Sequence, residues 1–372
     1  MKIPLSKPDI TDLEIEYVTR VLKTPDLSLG PRLVEFETKM AEFVGVKQAV
    51  AVNSGTSALH LIIKSLGIKE GDEVITTPFS FISSANCILF ERAKPVFVDI
   101  DPLTLNIDAN RIEAKITAST KAILAVDVFG YPADWDKLAP IAKRHHLKLV
   151  EDSCEALGAE YKGKKAGTFG EAAAFAFYPN KPMTTGEGGV IVTNQREIAD
   201  LCRSLRNQGR TANNQWPEHQ RLGYNYRLSD INCALGVAQL ERIEELLSKR
   251  ERVAQMYDAR LKDWPEVITP LSTPEIKRGW FVYVIVLADG YSREQRDKIL
   301  KNLRERGIGC SYYFPSIHLQ PFYVNLFGFR PGDFPVTERV SARTIALPFY
   351  GNLGEAEIDF VVQNLKEIVA KL

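Results

Sequence analysis

Short apolar runs bounded by turn residues alternate along the chain with stretches whose apolar positions recur at helical spacing. The spacing predicts helices over Thr11–Leu22 and Arg32–Val44, separated by the Pro/Gly-punctuated turn Pro25–Pro31. A strand over Ala49–Val52 then feeds the polar turn Asn53–Ser57 and a helix running from Ala58 through Ile63. Strand-like runs follow at Glu73–Thr77, Pro95–Asp99, Lys121–Asp127 and Leu147–Glu151, with helical stretches between them. Two more short apolar runs, Ala172–Tyr178 and Gly189–Thr193, flank a loop. Ser229 reads as the cap of one long helix reaching to about Leu261. Beyond Trp264 come a strand over Phe281–Leu287 and helices over Arg293–Arg306 and Glu355–Ala370. This alternation predicts an α/β protein whose largely parallel sheet is covered on both faces. We expect a large domain over residues 1–245 and a smaller α/β domain over 246–372, with the long helix bridging them. In such a sheet, functional groups gather outside the carboxyl ends of the strands.

With 372 residues, 45% of them hydrophobic, the chain can bury a sizeable core. Its 47 basic and 47 acidic residues cancel, so no broad field is available to gather nucleic acid or an anionic membrane. Any anion must be held by local geometry. Five widely spaced cysteines without a C-x-x-C pair suggest free thiols in a reducing cytoplasm. Met1–Pro4 opens no apolar signal segment, and no run approaches a membrane span. No His/Cys/carboxylate cluster has metal-ligand spacing, so no metal is expected.

The most informative stretch is Tyr178-Pro179-Asn180-Lys181-Pro182-Met183-Thr184-Thr185-Gly186-Glu187-Gly188-Gly189, a lysine held in a loop between two strands. Pro179 and Pro182 restrict the backbone around it. An amine so placed can form a Schiff base with an aldehyde when it is neutral; moving a lysine from about 10.4 to about 7–8 takes roughly 4 kcal/mol of differential interaction. A solvated lysine is the bland alternative. At Asn53–Ser57 a strand-to-helix turn offers backbone N–H groups and the Thr56 and Ser57 hydroxyls to an anion, although an ordinary Ser/Thr cap reads the same way. The turn lacks the Gly-Lys-Ser/Thr of a P-loop and the G-x-G-x-x-G of a dinucleotide site. Asp152, at a strand end, could pair with a protonated ring nitrogen or simply cap a following helix. Phe81 follows another strand end and could stack on a flat ring or belong to the core. Arg203, Arg206 and Arg210 form either a solvated face or an anion contact.

Taken in order, these motifs, with Ile3-Pro4-Leu5, Pro78-Phe79-Ser80-Phe81, Gly223-Tyr224-Asn225-Tyr226-Arg227 and His318-Leu319-Gln320-Pro321, resemble the DegT/DnrJ/EryC1/StrS family of pyridoxal 5'-phosphate (PLP)-dependent sugar aminotransferases over nearly the whole chain. The resemblance implies a fold type I architecture with a mostly parallel seven-stranded sheet. It implies that Lys181 joins PLP and moves the substrate proton, Asp152 holds the pyridinium nitrogen, Phe81 stacks on the ring, and Gly55, Thr56 and Ser57 bind the phosphate. It further implies that Asn225 reaches the phosphate of a neighbouring subunit in a homodimer, and that Arg210, Tyr313 and His318 lie near a nucleotide-linked keto sugar, with an amino acid, glutamate, as donor. Two positions depart from the pattern. Relatives carry serine five residues before the lysine, where this chain has Ala176, and glutamine or histidine three residues after the aspartate, where it has Glu155. A deoxysugar dehydratase of the same family is the nearest alternative, but there histidine replaces the lysine. A non-catalytic regulatory protein on the same scaffold is the alternative from another class.

Overall fold

Strand Ala172–Ala176 shows why the sheet forms: Ala172 and Ala174 enter the apolar cluster on one face, Ala173 and Phe175 the cluster on the other. Side chains of a strand alternate faces, so a run apolar at every position must be covered twice. The computed structural model describes residues 1–211 and 218–372. The central sheet contains β1 (Gln48–Val52), β2 (Glu73–Thr76), β3 (Lys94–Phe97), β4 (Thr120–Val126), β5 (Lys148–Asp152), β6 (Ala172–Ala176) and β7 (Gly189–Thr193). Its spatial order is β1-β7-β6-β5-β4-β2-β3. Every neighbouring pair is parallel except those made by β7, which runs antiparallel to both β1 and β6.

Helices α1 (Asp12–Leu22), α2 (Pro31–Val44), α3 (Gly55–Ser65), α4 (Ser83–Phe90), α5 (Trp135–Arg144) and α6 (Arg196–Arg206) precede the long helical region. The face of the sheet that carries Val50, Val52 and Ala174 packs against α3 and α6, and the opposite face against α2 and α5. The helix expected from Ser229 to Leu261 is instead two, α7 (Asp230–Glu241) and α8 (Ile243–Leu261), parted at Arg242 (φ −119°, ψ 22°). The break is anchored: the Arg242 guanidinium reaches Asp9 Oδ1 at 3.3 Å, Glu14 Oε1 at 3.1 Å and Glu245 Oε1 at 2.8 Å. Periodicity runs unbroken through that point, so it hid the joint.

A second, antiparallel sheet is formed by Val267–Ile268 (β8), Tyr283–Leu287 (β9) and Thr344–Leu347 (β10), with β9 in the middle. It packs against α8 and against two later helices, Arg293–Glu305 and Glu355–Val369. Ile3 joins this cluster, its N–H donating to Gly307 O at 2.9 Å and its carbonyl accepting from Gly309 N at 2.8 Å. The division expected between residues 245 and 246 falls in the first turn of α8.

Candidate active site

The carboxyl ends of β4, β5 and β6 and the first turn of α3 open on one cavity of about 510 Å³, within the range of small-molecule sites. Lys181, Asp152, Glu155, Gly55, Thr56, Phe81 and Tyr313 all line it. Residues as far apart in sequence as Gly55 and Tyr313 are thus brought to one place by the fold.

Each side chain is positioned by local chemistry. Ser54 caps α3, its Oγ accepting from Ser57 N at 3.1 Å, so the amides of Gly55 and Thr56 fall in the turn where a helix has no internal acceptor. Thr56 Oγ1 pairs with Ser83 Oγ at 2.7 Å, and both residues line the cavity. Ser57 differs from expectation: its hydroxyl donates to Asn53 Oδ1 at 2.6 Å and is buried behind the turn, while Ser54 takes the cavity-lining place. A Cβ on Gly55 would stand 2.7 Å from Ala176 Cβ and 2.9 Å from Cys154 Sγ, so glycine lets the helix end seat against β6.

Asp152 ends β5 and is followed by turn, not helix, which removes the helix-cap reading. Its buried carboxylate accepts from Ser84 Oγ at 2.5 Å and from Cys154 N at 3.3 Å. Lys181 lies over the Phe281 ring, its Nζ 3.8 Å from the centroid. Arg250 on α8 holds the lysine's loop, donating through Nη2 to Lys181 O at 2.8 Å and Asn180 O at 3.2 Å and through Nη1 to Phe281 O at 3.0 Å. Phe81 is 60% exposed, which suits a ring waiting for a flat partner rather than a core residue. Glu155 is 5% exposed; burial pushes its carboxyl up to about 7, against the opposing pull of Lys181, whose Nζ stands 3.9 Å from Glu155 Oε1.

Three expected residues lie elsewhere. His318 is fully buried, with Nε2 3.0 Å from Glu338 Oε1 and its ring edge-on to Phe334, so its imidazole is a packing element outside the cavity lining. Arg210 bridges to His219 and is likewise outside the lining. Asn225 is exposed between the stacked, inward-turned rings of Tyr224 and Tyr226 and does not face its own chain's cavity. Arg203 and Arg206 are neither a solvated face nor ligand contacts: Arg203 Nη2 donates to Ala49 O at 3.1 Å and Arg206 Nη1 to Ala51 O at 2.6 Å, clamping α6 to β1. Sequence reasoning missed Ser84, Ser83, Arg250 and Phe281, none of which sits in a punctuated motif. Among the described residues no group of His, Cys, Asp or Glu is arranged to hold a metal ion.

The donor set fits one chemical object: an amine for an aldehyde carbon, a buried carboxylate for a ring nitrogen, an exposed aromatic wall, and a helix N-terminus for a phosphate. Fold and site together define a PLP-dependent transferase of fold type I. The model of the DegT/DnrJ/EryC1/StrS aminotransferase family matches residues 8–366, and the chain belongs to that family. It is 39% identical to a GDP-perosamine synthase of Caulobacter vibrioides, over 99% of this chain and 98% of that protein. Among solved structures it is similar to Helicobacter pylori PseC, an aminotransferase of pseudoaminic acid biosynthesis (32% identity, TM-score 0.94, all of both chains). It is also similar to the sugar aminotransferase Spr1654 of Streptococcus pneumoniae in its pyridoxamine phosphate form (28% identity, TM-score 0.95, all of both chains). Its cofactor is PLP.

Proposed function

We propose that the chain is a nucleotide-sugar aminotransferase that takes an amino group from glutamate and delivers it to the keto group of a nucleotide-linked deoxysugar. The carrying observation is that Lys181 and Asp152 line one cavity with the Ser54–Thr56 turn. PLP, when bound, supplies an aldehyde on which the amino group travels and a ring that withdraws electrons from the reacting carbon. Asp152 would keep the ring nitrogen protonated, the first turn of α3 with Thr56 and Ser83 would hold the phosphate, and Phe81 would cover the ring. Lys181 would take and return the substrate proton, and Tyr313 at the cavity wall would meet the sugar.

Lysine at position 181 favours amino transfer over dehydration, because the dehydratase pattern has histidine there. The exposure of Asn225 supports a homodimer in which it completes the partner's phosphate site. Five free thiols support a reducing, cytoplasmic setting, and among the described residues no helix is long and apolar enough to cross a membrane.

The purified protein should be yellow with PLP and lose its visible band on borohydride treatment, and Lys181→Ala should stay colourless. With a panel of keto-sugar nucleotides, glutamate-dependent release of 2-oxoglutarate is the expected product signal. A protein that takes up no PLP, or that eliminates water without consuming glutamate, would overturn the reading.

A further inference from the structure

The two oxygens of the Glu155 carboxylate do different jobs. Oε2 accepts the Phe129 N–H at 2.9 Å, which fixes the side chain, while Oε1 is the atom 3.9 Å from Lys181 Nζ. The anchor is itself held in an unusual shape. Phe129 sits in the left-handed region (φ 53°, ψ 30°), a conformation that a bulky residue keeps only when its surroundings enforce it. Here the Phe129 ring stacks on Phe314 at 5.3 Å, Arg278 Nη1 donates to Phe129 O at 2.9 Å, and Gly279 N donates to Gly130 O at 2.9 Å. Gly130 cannot be replaced cheaply in this contact: its φ is +78° and a Cβ would stand 1.8 Å from Gly279 O. A strained segment, tied to the second sheet's approach by Arg278 and Gly279, thus aims one carboxylate oxygen at the lysine amine.

We propose that Glu155 is the proton partner of Lys181: the two groups share a proton in the cofactor-free cavity, and Glu155 takes it when the lysine nitrogen must act as a free base. The step balances within the pair. The Nζ–H bond breaks, an Oε1–H bond forms, and an ammonium–carboxylate pair becomes a neutral amine and a neutral acid. The separation of 3.9 Å is covered by a small side-chain movement or one bridging water. Removing two opposite charges together is favoured where both are desolvated, so a buried site makes this exchange easier than bulk water would. A glutamine could keep the Phe129 hydrogen bond, but its amide cannot accept the proton. The carboxyl's elevated position, about 7, puts it where it can both take and return a proton at neutral pH. The other titratable groups around it are Asp152, whose charge opposes its ionisation, Asp127, whose ionisation the Glu155 charge opposes, and Cys154 and Tyr313, whose own ionisation burial opposes.

This inference rests on Lys181 being the PLP-binding amine, which the colour test above decides separately: Glu155→Gln should turn yellow with PLP where Lys181→Ala does not. The test uses full-length apoprotein carrying ¹³Cε-lysine, with the Lys181 signal assigned by its loss in Lys181→Arg. In the wild type that signal should show a step near pH 7 from Glu155, and in Glu155→Gln the step should vanish. PLP uptake is then followed as growth of visible absorbance and divided by the neutral Lys181 fraction from the same titration. This normalised rate should fall at least about tenfold in Glu155→Gln. Glu155→Ala should be slow as well and be accelerated by added formate, which leaves the wild type unchanged. A step near pH 7 that persists in Glu155→Gln, or equal normalised rates, would overturn the proposal. A loss of thermal stability in Glu155→Gln with the normalised rate intact would assign the carboxylate a purely structural role.

Discussion

Ser84 Oγ lies 2.5 Å from Asp152 Oδ2, on a helix that starts just past the end of β2. The hydroxyl is fully buried, and Ser80 Oγ stands 2.8 Å behind it. A carboxylate fixed by such a bond presents its other oxygen in one orientation, which is what a partner for a ring nitrogen needs.

Ser84→Ala should therefore loosen Asp152 without changing its charge. Losing one hydrogen bond to a charged group costs about 1.5–3 kcal/mol, so PLP should bind on the order of ten- to a hundredfold more weakly by spectral titration. An affinity equal to that of the wild type would show that Asp152 needs no such support.

Ala176 tests the opposite direction. Its Cβ faces Gly55 at the first turn of α3, and the residue lines the cavity. Ala176→Ser adds a hydroxyl beside the amides proposed to hold phosphate. We expect PLP retention to improve severalfold, the effect of one net hydrogen bond of about 1 kcal/mol. The measurement is the rate of PLP loss on dialysis; an unchanged or faster loss counts against a phosphate at this turn.

The acids behind the cavity set a pH dependence of stability. Asp127 is fully buried, and burial lifts its carboxyl to about 7 despite hydrogen bonds from Ser153 Oγ (2.7 Å) and Ala133 N (2.8 Å). Its unfolded value is about 3.9, so between about pH 4 and pH 7 the folded chain binds more protons than the unfolded one. The stabilisation is complete below that window and is lost as pH rises through it, at up to about 1.4 kcal/mol per pH unit. Asp127→Asn keeps the shape and removes the titration. The thermal midpoint of the variant should fall less steeply than that of the wild type between pH 5 and pH 7, and parallel curves would refute the assignment.

Asn225 can be placed by mixing subunits. If it acts across a dimer interface, Lys181→Ala and Asn225→Ala homodimers should both be impaired, and a hybrid of the two should regain one intact site. Its specific activity should approach half that of the wild type. A hybrid no better than its parents would put Asn225 at its own chain's site or at none.

Much of the site was legible before folding because its residues sit in short motifs whose geometry is local. A strand, a capped turn and a helix at Gln48–Ser65, or a lysine between two prolines and three glycines, declare themselves within a short stretch of chain. The line between the two alternatives at Asp152 could not be drawn that way, since the choice depended on whether a helix followed. At Ser57, likewise, spacing places the hydroxyl near the turn but does not show its bond to Asn53. The full burial of His318 could not be read from its motif, because burial depends on what covers a residue.

The chain's own order of apolar, polar and turn residues determined the α/β layering and the run of strand ends, and it singled out Lys181 and Asp152 as candidates. Only the folded arrangement decided which neighbours act on them. Ser84 reaches Asp152 across 68 residues and Arg250 reaches Lys181 across 69, and the break at Arg242 depends on Asp9 and Glu14 far upstream. Local pattern records the shape a segment prefers. A hydrogen bond or an ion pair between distant segments depends on a register and strand order that exist once the sheet has closed around its core.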